Sequence, residues 1–386
     1  MKKPLRICMV SDTYYPYVGG IPEHIFNLSR QLRIRGHTVK ILTTNFSRRL
    51  FYLDSPIPDE EYVYRIGRGL LISANKSFAQ IPIGWRLSDK IEKFFRKENF
   101  DIVHIHGSLA PTLPILALRH SRAINLITYH AEHPKDYKYL LAYEVLLPYQ
   151  RKLQGRIAVS EPAYISNMHM YSRADCRIIP NGVDTNTFNP NVQPLPIYQD
   201  NRPKILFLGR IEPRKGLKYL LLAFRNVVKK FPNALLIIVG KGLLGYSYQQ
   251  YITSEIKNNI HFVGLIPNHI KPQYYASCDV FCAPSVGRES FGIILLEAMA
   301  TGKPVVASNI SGYRTIIEDG VDGYLAQPKD PEDIATKIIK ILEDAALRKE
   351  LGTRARAKAL RYSWEKVSAQ VEEYYYELIA RYKRNI

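Results

Sequence analysis

The fold is decided by one stretch in the second half of the chain, Gly287-Arg288-Glu289-Ser290-Phe291-Gly292-Ile293-Ile294-Leu295-Leu296-Glu297-Ala298-Met299-Ala300-Thr301-Gly302. Ser290 predicts a helix that starts at about Phe291, because a serine hydroxyl can accept an otherwise unpaired backbone N–H at a helix start. The free N–H groups and the positive dipole end of such a helix suit a diphosphate. Gly292 would allow the backbone to approach this ligand closely.

The two glutamates of this stretch flank the predicted helix start. Glu289 would lie on the loop before the helix, and Glu297 about two turns inside it. A nucleotide-sugar presents sugar hydroxyls, two phosphates and ribose hydroxyls in that order, and carboxylates accept hydrogen bonds from both sets of hydroxyls. Either glutamate alone could simply complement the helix dipole or face solvent. The pair around Gly292 favours a nucleotide-sugar site.

Composition limits the possibilities without choosing a function. The 386 residues suit two domains, and the formal net charge of +19 favours anionic partners such as nucleotides, acidic lipids or nucleic acid. The four cysteines show no CxxC pair, which predicts buried thiols in a reducing cytoplasm. No apolar run approaches the roughly 18 residues of a membrane span, and no signal peptide is visible.

Apolar strand-like runs alternate with amphipathic stretches from end to end, which predicts parallel α/β sheets. The candidate strands are Arg6–Val10, Thr38–Thr43, Ile102–Ile105, Ile124–Tyr129, Arg156–Val159, Ile178–Pro180, Lys204–Leu208, Ala234–Val239, Ile260–Phe262, Val280–Ala283 and Pro304–Ala307. The segment 189–203 is rich in Pro and Asn and therefore predicts a boundary. We expect doubly wound domains at 1–190 and 204–362, followed by a helix from Trp364 to Lys383 within a terminal segment 363–386.

Two further loops are placed to bind a diphosphate, since ligands of open α/β sheets bind beyond the carboxyl ends of the strands. Gly19-Gly20 precedes a predicted helix, and such a turn either presents backbone N–H groups to an anion or is an ordinary tight turn. Arg210, Arg214 and Lys215 follow another predicted strand. Their charges can stabilise a leaving diphosphate without a metal, although a solvated basic loop is the alternative.

Histidines follow two strands of the first half. His130 comes just after the strand that ends at Tyr129, and His106 ends the preceding strand. A structural role, a binding role and a metal site that includes His104 or His133 are all open. No Asp or Glu completes a tight ligand cluster by sequence, and no Asp-x-Asp motif occurs, so we expect no metal.

Together these motifs resemble those of the retaining, type B glycosyltransferases of family four, over nearly the whole chain. The resemblance implies two Rossmann-like domains that face a central cleft, the first for the acceptor and the second for the donor, with the terminal helix crossing back to the first. It implies catalytic roles for His130, Glu289, Arg210 and Lys215. It implies donor contacts from Gly19, Gly20, Arg210, Lys215, Ile266, Glu289, Phe291, Gly292, Ile293 and Glu297, where Glu289 holds the sugar and Glu297 the ribose.

Within that family the chain is most similar to the phosphatidylinositol mannosyltransferases, on stretches such as Asp101-Ile-Val-His-Ile-His106 and Gly155-Arg-Ile-Ala-Val-Ser160. This resemblance implies a GDP-mannose donor, an inositol phospholipid acceptor, no required cofactor and no nucleic acid. Asn75, Lys76 and His24 are the implied acceptor-binding residues. Ala74 and Gln80 replace a Tyr and an Arg of the subgroup's pattern, so a soluble acceptor remains an alternative.

A basic amphipathic helix is predicted at 84–97, with an apolar face and a face of Arg86, Lys90, Lys93 and Lys97. It either lies on anionic lipid as a peripheral membrane element or packs on the sheet with a solvated basic face. The alternatives for the whole protein are a UDP-sugar-dependent transferase with another acceptor, a sugar-nucleotide epimerase or phosphorylase, and a basic nucleic-acid-binding protein.

Overall fold

The protein divides into two compact units. The computed structural model describes residues 3–17, 19–46, 59–74, 77–107, 109, 112–131, 146–168, 176–242 and 245–382. The first unit comprises 1–181 together with 364–386, and the second comprises 182–363. The chain therefore leaves the first unit once and returns to it at Trp364.

The first unit is built on an eight-stranded sheet. Its order is β4-β3-β2-β1-β5-β6-β7-β8, and every pair is parallel except β3 with β4. The strands are β1 (Arg6–Val10), β2 (Thr38–Phe46), β3 (Val63–Ala74), β4 (Ser77–Ile83), β5 (Ile102–His106), β6 (Ile124–Tyr129), β7 (Gly155–Ala158) and β8 (Cys176–Ile178). Strands β5 and β6 are buried along their whole length, as expected where helices cover both faces of a parallel sheet.

Helices cover the two faces of this sheet. They are α1 (Gly20–Ile34), α2 (Leu87–Glu98), α3 (Leu113–His120) and α4 (Glu161–Met168). Ile25, Leu28 and Leu32 of α1 belong to the core on one face, and Ile91 and Phe94 of α2 belong to the core on the other. The sequence order of the strands reverses between β1 and β5, so the loops that follow these two strands meet at one point of the sheet edge.

The second unit has a six-stranded, all-parallel sheet in the order β11-β10-β9-β12-β13-β14. Its strands are β9 (Lys204–Leu208), β10 (Leu235–Val239), β11 (Ile260–Gly264), β12 (Val280–Ala283), β13 (Val305–Ser308) and β14 (Tyr324–Ala326). Its helices are α5 (Leu217–Lys230), α6 (Lys271–Ala276), α7 (Ile293–Ala300), α8 (Ser311–Arg314), α9 (Pro331–Glu343) and α10 (Ala345–Ala359). The reversal of strand order lies between β9 and β12, the arrangement of a doubly wound nucleotide-binding fold.

The last helix, α11 (Trp364–Tyr382), belongs to the first unit and packs on its sheet. Val367, Val371 and Leu378 join the same core as α1. A Cβ atom at Gly155 would lie 2.5 Å from the Leu378 side chain, so the absence of a side chain at the start of β7 allows α11 to approach. Short 3-10 helices complete both units at Glu60–Tyr62, Pro196–Tyr198, Pro213–Lys215, Gly245–Tyr251, Lys257–Asn259, Asn268–Ile270 and Leu360–Tyr362.

The prediction of two doubly wound α/β units is confirmed, and several local predictions need correction. The helix after Glu289 begins at Ile293 rather than near Phe291, with Gly292 as its N-cap residue at φ 110° and without a side-chain cap from Ser290. The strand predicted at Ile178–Pro180 lies earlier, at β8. Strands β3, β4 and β14 were not predicted.

The boundary between the units differs from the expected one at 190. It falls between Asn181 and Gly182, so the Pro- and Asn-rich segment 189–203 belongs to the second unit. The reason is a set of hydrogen bonds within that unit: the Arg356 guanidinium donates to the backbone oxygens of Phe188 (2.8 Å) and Thr185 (3.1 Å), and Leu195 N donates to Ser277 Oγ (2.9 Å). The Pro- and Asn-rich segment is therefore part of the second unit and not a free linker.

Candidate active site

The loop after β9 packs directly against the loop after β12. Gly216 has φ 72°, and a Cβ atom there would lie 1.9 Å from the backbone oxygen of Pro284. Val286 N also donates to the backbone oxygen of Arg214 at 2.9 Å. Because β9 and β12 flank the reversal of strand order, this contact fixes the basic loop beside the loop that carries Glu289.

Glu289 lies within a cluster of cations. Its carboxylate accepts from the Arg214 guanidinium and lies 2.7 Å from Lys215 Nζ. Arg210 pairs in turn with Glu212 at 3.0 Å, and Glu212 lies 3.9 Å from Arg214. The five charged groups, three cationic and two anionic, thus form one network at the end of β9.

The network shifts the pKa values of its members. Burial alone would raise the pKa of Glu289, but Lys215, Arg214 and Arg210 hold it below the ordinary value. Burial lowers the pKa of Lys215, and the nearby Glu289 carboxylate opposes that effect. Glu289 is therefore an ionised, half-buried hydrogen-bond acceptor, and the cations beside it are suited to bind phosphate oxygens.

Glu297 lies inside α7 and has a different environment. Its side chain is buried, with Oε1 3.0 Å from Lys271 Nζ and Oε2 accepting from the Tyr275 hydroxyl at 2.7 Å. Gly292 begins the same helix, and a Cβ atom there would lie 2.8 Å from the Tyr313 ring. Phe291 is buried, whereas Ile293 and Ile266 are half-buried.

In the first unit, the loop after β1 leads into α1 at the paired glycines. Gly19 is the N-cap residue in an extended conformation, and Gly20 is the first helical residue. His24 lies one turn further and is buried, with Nδ1 2.8 Å from Oδ1 of Asn181. The carboxylate of Glu23 accepts from the Tyr15 hydroxyl at 2.5 Å, which ties the loop to the helix.

Three more histidines surround the ends of β5 and β6. His106 Nδ1 lies 3.2 Å from His130 Nε2. Both nitrogens of His104 are engaged at 2.6 Å, one by Thr128 Oγ1 and one by the Tyr375 hydroxyl of α11. Burial and the neighbouring imidazoles lower the pKa of His106 and His130 well below the ordinary value, so both rings are uncharged at neutral pH.

Family models match both units in turn. Residues 18–187 match the model described as Glycosyltransferase Family 4, and residues 194–358 match Glycosyl transferases group 1. A phosphatidyl-myo-inositol mannosyltransferase of Mycolicibacterium smegmatis is 36% identical over 375 residues, which cover 96% of this chain and 93% of the relative. The chain belongs to family four of the glycosyltransferases.

Other relatives of this glycosyltransferase agree with that assignment. A phosphatidyl-myo-inositol mannosyltransferase of Mycobacterium tuberculosis is 34% identical over 377 residues, covering 96% of each chain. A glycosyltransferase structure from Rickettsia africae matches with a TM-score of 0.74, 22% identity and coverage of 98% of this chain and 99% of the other. HepE of Anabaena in complex with UDP matches with a TM-score of 0.75, 21% identity and coverage of 96% and 99%. These two structures are similar in fold.

The glycosyltransferase brings the sequence-predicted residues together as two groups, one in each unit. Arg210, Lys215 and Glu289 share the network of the second unit, and His24 and His130 lie close in the first. Asn75 and Lys76 lie outside the described residues. Glu297 is bound to Lys271 and Tyr275, two partners that sequence reasoning missed because they lie on α6, 26 and 22 positions earlier.

Two further residues were undervalued from the sequence. Glu212 stands between two cations of the basic loop, and its position two residues after Arg210 was the available signal. Asn181 lies in the stretch Pro180-Asn181-Gly182-Val183-Asp184 and was not among the predicted site residues, yet its side chain contacts His24.

The charge network generates a mutational prediction. Arg210→Ala and Lys215→Ala should each lower sugar transfer about 100-fold, as expected when a charge partner of the leaving group is removed. Steady-state rates with saturating donor measure this. Arg202→Ala removes the same charge at the opposite end of β9, where Arg202 pairs with Asp200, and should retain the wild-type rate. Near-normal rates in both loop variants would contradict the assignment of the basic loop.

Proposed function

We propose that this glycosyltransferase moves mannose from GDP-mannose to a hydroxyl of an inositol phospholipid, with retention at the anomeric carbon. The observation that carries the proposal is the 36% identity, over 96% of the chain, to a relative named phosphatidyl-myo-inositol mannosyltransferase. The second unit would hold the donor and the first would hold the acceptor. The charged network and the histidine group supply the functions that such a reaction needs.

The donor diphosphate would bind the cations that now hold Glu289. Arg210 and Lys215 neutralise the charge that develops on the departing diphosphate, and Arg214 supports them. As phosphate oxygens take over these cations, the Glu289 carboxylate can accept a hydrogen bond from a sugar hydroxyl instead. Glu297, whose carboxylate is held by Lys271 and Tyr275, would accept a hydrogen bond from the ribose.

The bond changes that the family resemblance implies need no protein base. The bond from the anomeric carbon to the diphosphate oxygen breaks, and a bond to the acceptor oxygen forms on the same face. The acceptor proton passes to the leaving diphosphate oxygen. His130, uncharged at neutral pH, would orient donor and acceptor by hydrogen bonding, and His24 would contact the acceptor.

A binding panel followed by a transfer assay tests the proposed substrates. GDP-mannose should raise the unfolding temperature more than UDP-glucose or ADP-glucose, with GDP, UDP and ADP alone as controls for the base. Labelled mannose should then pass to vesicles that contain phosphatidylinositol and not to vesicles of phosphatidylglycerol. A response to UDP-sugars alone would replace the proposed donor, and transfer to a soluble alcohol alone would replace the proposed acceptor.

The basic loop also generates a prediction about metals. Because three side-chain cations belong to the network of Glu289 and Glu212, the diphosphate needs no divalent ion to balance its charge, so sugar transfer should survive excess EDTA. The measurement is the initial rate with and without chelator. Complete loss of activity with EDTA and recovery with magnesium or manganese would show that a metal holds the diphosphate.

We further propose that α2 contacts an anionic membrane. Its Ile91, Phe94 and Phe95 are buried in the core, so the apolar face packs as a sheet-covering helix does. Its lysines are exposed on the other face: Lys90, Lys93 and Lys97. Each basic residue near an acidic lipid surface contributes about 1 kcal/mol. Nowhere in the described ranges is a helix long and apolar enough to cross a bilayer.

An exposed tryptophan supports this orientation. Trp85 precedes α2 by two residues and is 85% exposed, and Ile83 is 53% exposed at the end of β4. Tryptophan favours the level of the lipid headgroups, where its ring is half in contact with acyl chains and its N–H with polar groups. A basic helix face beside an exposed Trp is therefore suited to peripheral binding.

Charge reversal tests the membrane contact. The triple variant Lys90→Glu, Lys93→Glu, Lys97→Glu should lose most of its binding to phosphatidylserine vesicles in co-sedimentation at moderate salt, because the attraction is electrostatic and screened. The matched control is Lys229→Glu, Lys257→Glu, Lys349→Glu, which places the same charge change on exposed positions of the second unit. Equal binding by both triple variants and the wild type would place the membrane contact elsewhere.

A further inference from the structure

Three imidazoles converge in the first unit from different elements. His24 lies on α1, His106 ends β5 and His130 directly follows β6. One nitrogen from each ring lies within 4.8 Å of the other two. The ring centroids are 4.6 Å apart for His24 and His130, 5.2 Å for His24 and His106, and 5.5 Å for His106 and His130. Along the chain, His24 and His106 are 82 positions apart, and His106 and His130 are 24 positions apart. They converge because the strand order reverses between β1 and β5.

Two of the ring nitrogens are buried without a hydrogen-bond partner. They are Nε2 of His24 and Nε2 of His106. A buried polar atom that lacks a partner costs free energy, so its retention calls for an explanation such as a bound ion or water. Both atoms belong to rings of the convergent group.

The tautomer of His24 is fixed in the form that binds a metal. The Asn181 side-chain oxygen can only accept, so His24 Nδ1 donates to it at 2.8 Å and the lone pair is on Nε2. Metal-binding histidines in proteins are oriented in this way, with the second ring nitrogen donating to an outer carbonyl or carboxylate. Asn181 would therefore be the outer partner of the first ligand.

The group is also accessible to an ion. His130 is partly exposed, which gives an ion a route to the group.

We propose that His24, His106 and His130 form a binding site for a divalent transition metal, with Zn²⁺ as the ion it prefers. Imidazole suits zinc and not magnesium or calcium, which prefer oxygen ligands. Ligand nitrogens at about 2.1 Å from a tetrahedral zinc ion are about 3.4 Å apart, so rotations of the rings from their present separation would complete the site. The fourth position is left for water or another oxygen ligand.

His104 is not part of the site, although its ring is 4.1 Å from that of His106 between centroids. Its two nitrogens bind Thr128 and Tyr375, so the ring holds α11 to the sheet and has no lone pair to offer. His104 therefore serves as an internal comparison, because it is as buried as His24 and His106 and lies beside His106, but both of its nitrogens are already hydrogen-bonded.

The effect of the ion on catalysis rests on the proposed function. His24 and His130 are proposed to contact acceptor and donor, and a metal bound to them would occupy the nitrogens that those contacts need. Zinc should therefore inhibit sugar transfer, and a chelator should restore it. Inhibition by zinc is consistent with the prediction that sugar transfer survives EDTA, because the proposed reaction does not use a metal ion.

Metal binding is tested without substrate. Full-length protein, freed of metal by a chelator and then desalted, is titrated with Zn²⁺ by calorimetry and with Co²⁺ by visible absorption. We expect one ion per chain and the ligand-field bands of tetrahedral cobalt. His24→Asn and His106→Asn should abolish these bands, and Asn181→Ala should weaken zinc binding about 10-fold to 100-fold, as loss of an outer partner does. His269→Asn, at an exposed position of the second unit, should bind zinc as the wild type does.

The outcomes separate the possibilities. Absence of stoichiometric binding by the wild type, or equal binding by His24→Asn and His106→Asn, overturns the site. Thermal unfolding verifies that each variant is folded. If His24→Asn does not fold, zinc binding by His106→Asn and Asn181→Ala decides whether the site exists. If zinc binds but does not inhibit sugar transfer, the proposed metal site is confirmed and the proposed inhibition is wrong. If no nucleotide-sugar is used while zinc still binds, the proposed function fails and the site remains.

Discussion

The arrangement of the second unit depends on a half-buried carboxylate held by two cations. Glu289 would be unstable as an isolated charge, because burial disfavours ionisation by an amount that only nearby opposite charges offset. Lys215 and Arg214 supply them, and both are placed by a loop that Gly216 presses against Pro284. The glycine, the strand order and the ion pairs are therefore parts of one constraint: the loop after β9 must contact the loop after β12 for the carboxylate to be compensated.

The same constraint prepares the site for a diphosphate. A cluster of three cations without counter-charges would repel itself, and its side chains would move into solvent. Glu289 and Glu212 hold them in place with a net charge of +1 for the five groups (three positive, two negative). A phosphate group can exchange with a carboxylate at little electrostatic cost, since each replaces the other as the partner of the same cation. In the proposed reaction, Glu212 would remain the counter-charge of Arg210 while Glu289 is released toward the sugar.

The sequence was sufficient for the fold because its signals are local. Strands such as Lys204–Leu208 and Ile124–Tyr129 are short apolar runs, and they were located to the residue. The failures also have local causes. Strands β3 and β4 form an antiparallel hairpin at the sheet edge, and their mixed composition, with Arg and Gly among the apolar residues of β3, gives no continuous apolar run. The helix start after Glu289 was misplaced because Gly292, and not the polar Ser290, provides the turn into the helix.

The candidate site was only partly predictable, because its contacts join distant positions. The sequence showed the cations of one loop and the two glutamates of another, but the partners of Glu297 come from a helix whose residues carry no motif. The histidine group is the extreme case. His24 was predicted as an acceptor contact and His130 as a catalytic residue, while His106 was noted only as the end of a strand. Spacing could not unite them, since the distance between β1 and β5 along the chain is set by three intervening strands. Only the strand order places them side by side, and it brings the buried, unpaired nitrogens of His24 and His106 next to the ring of His130.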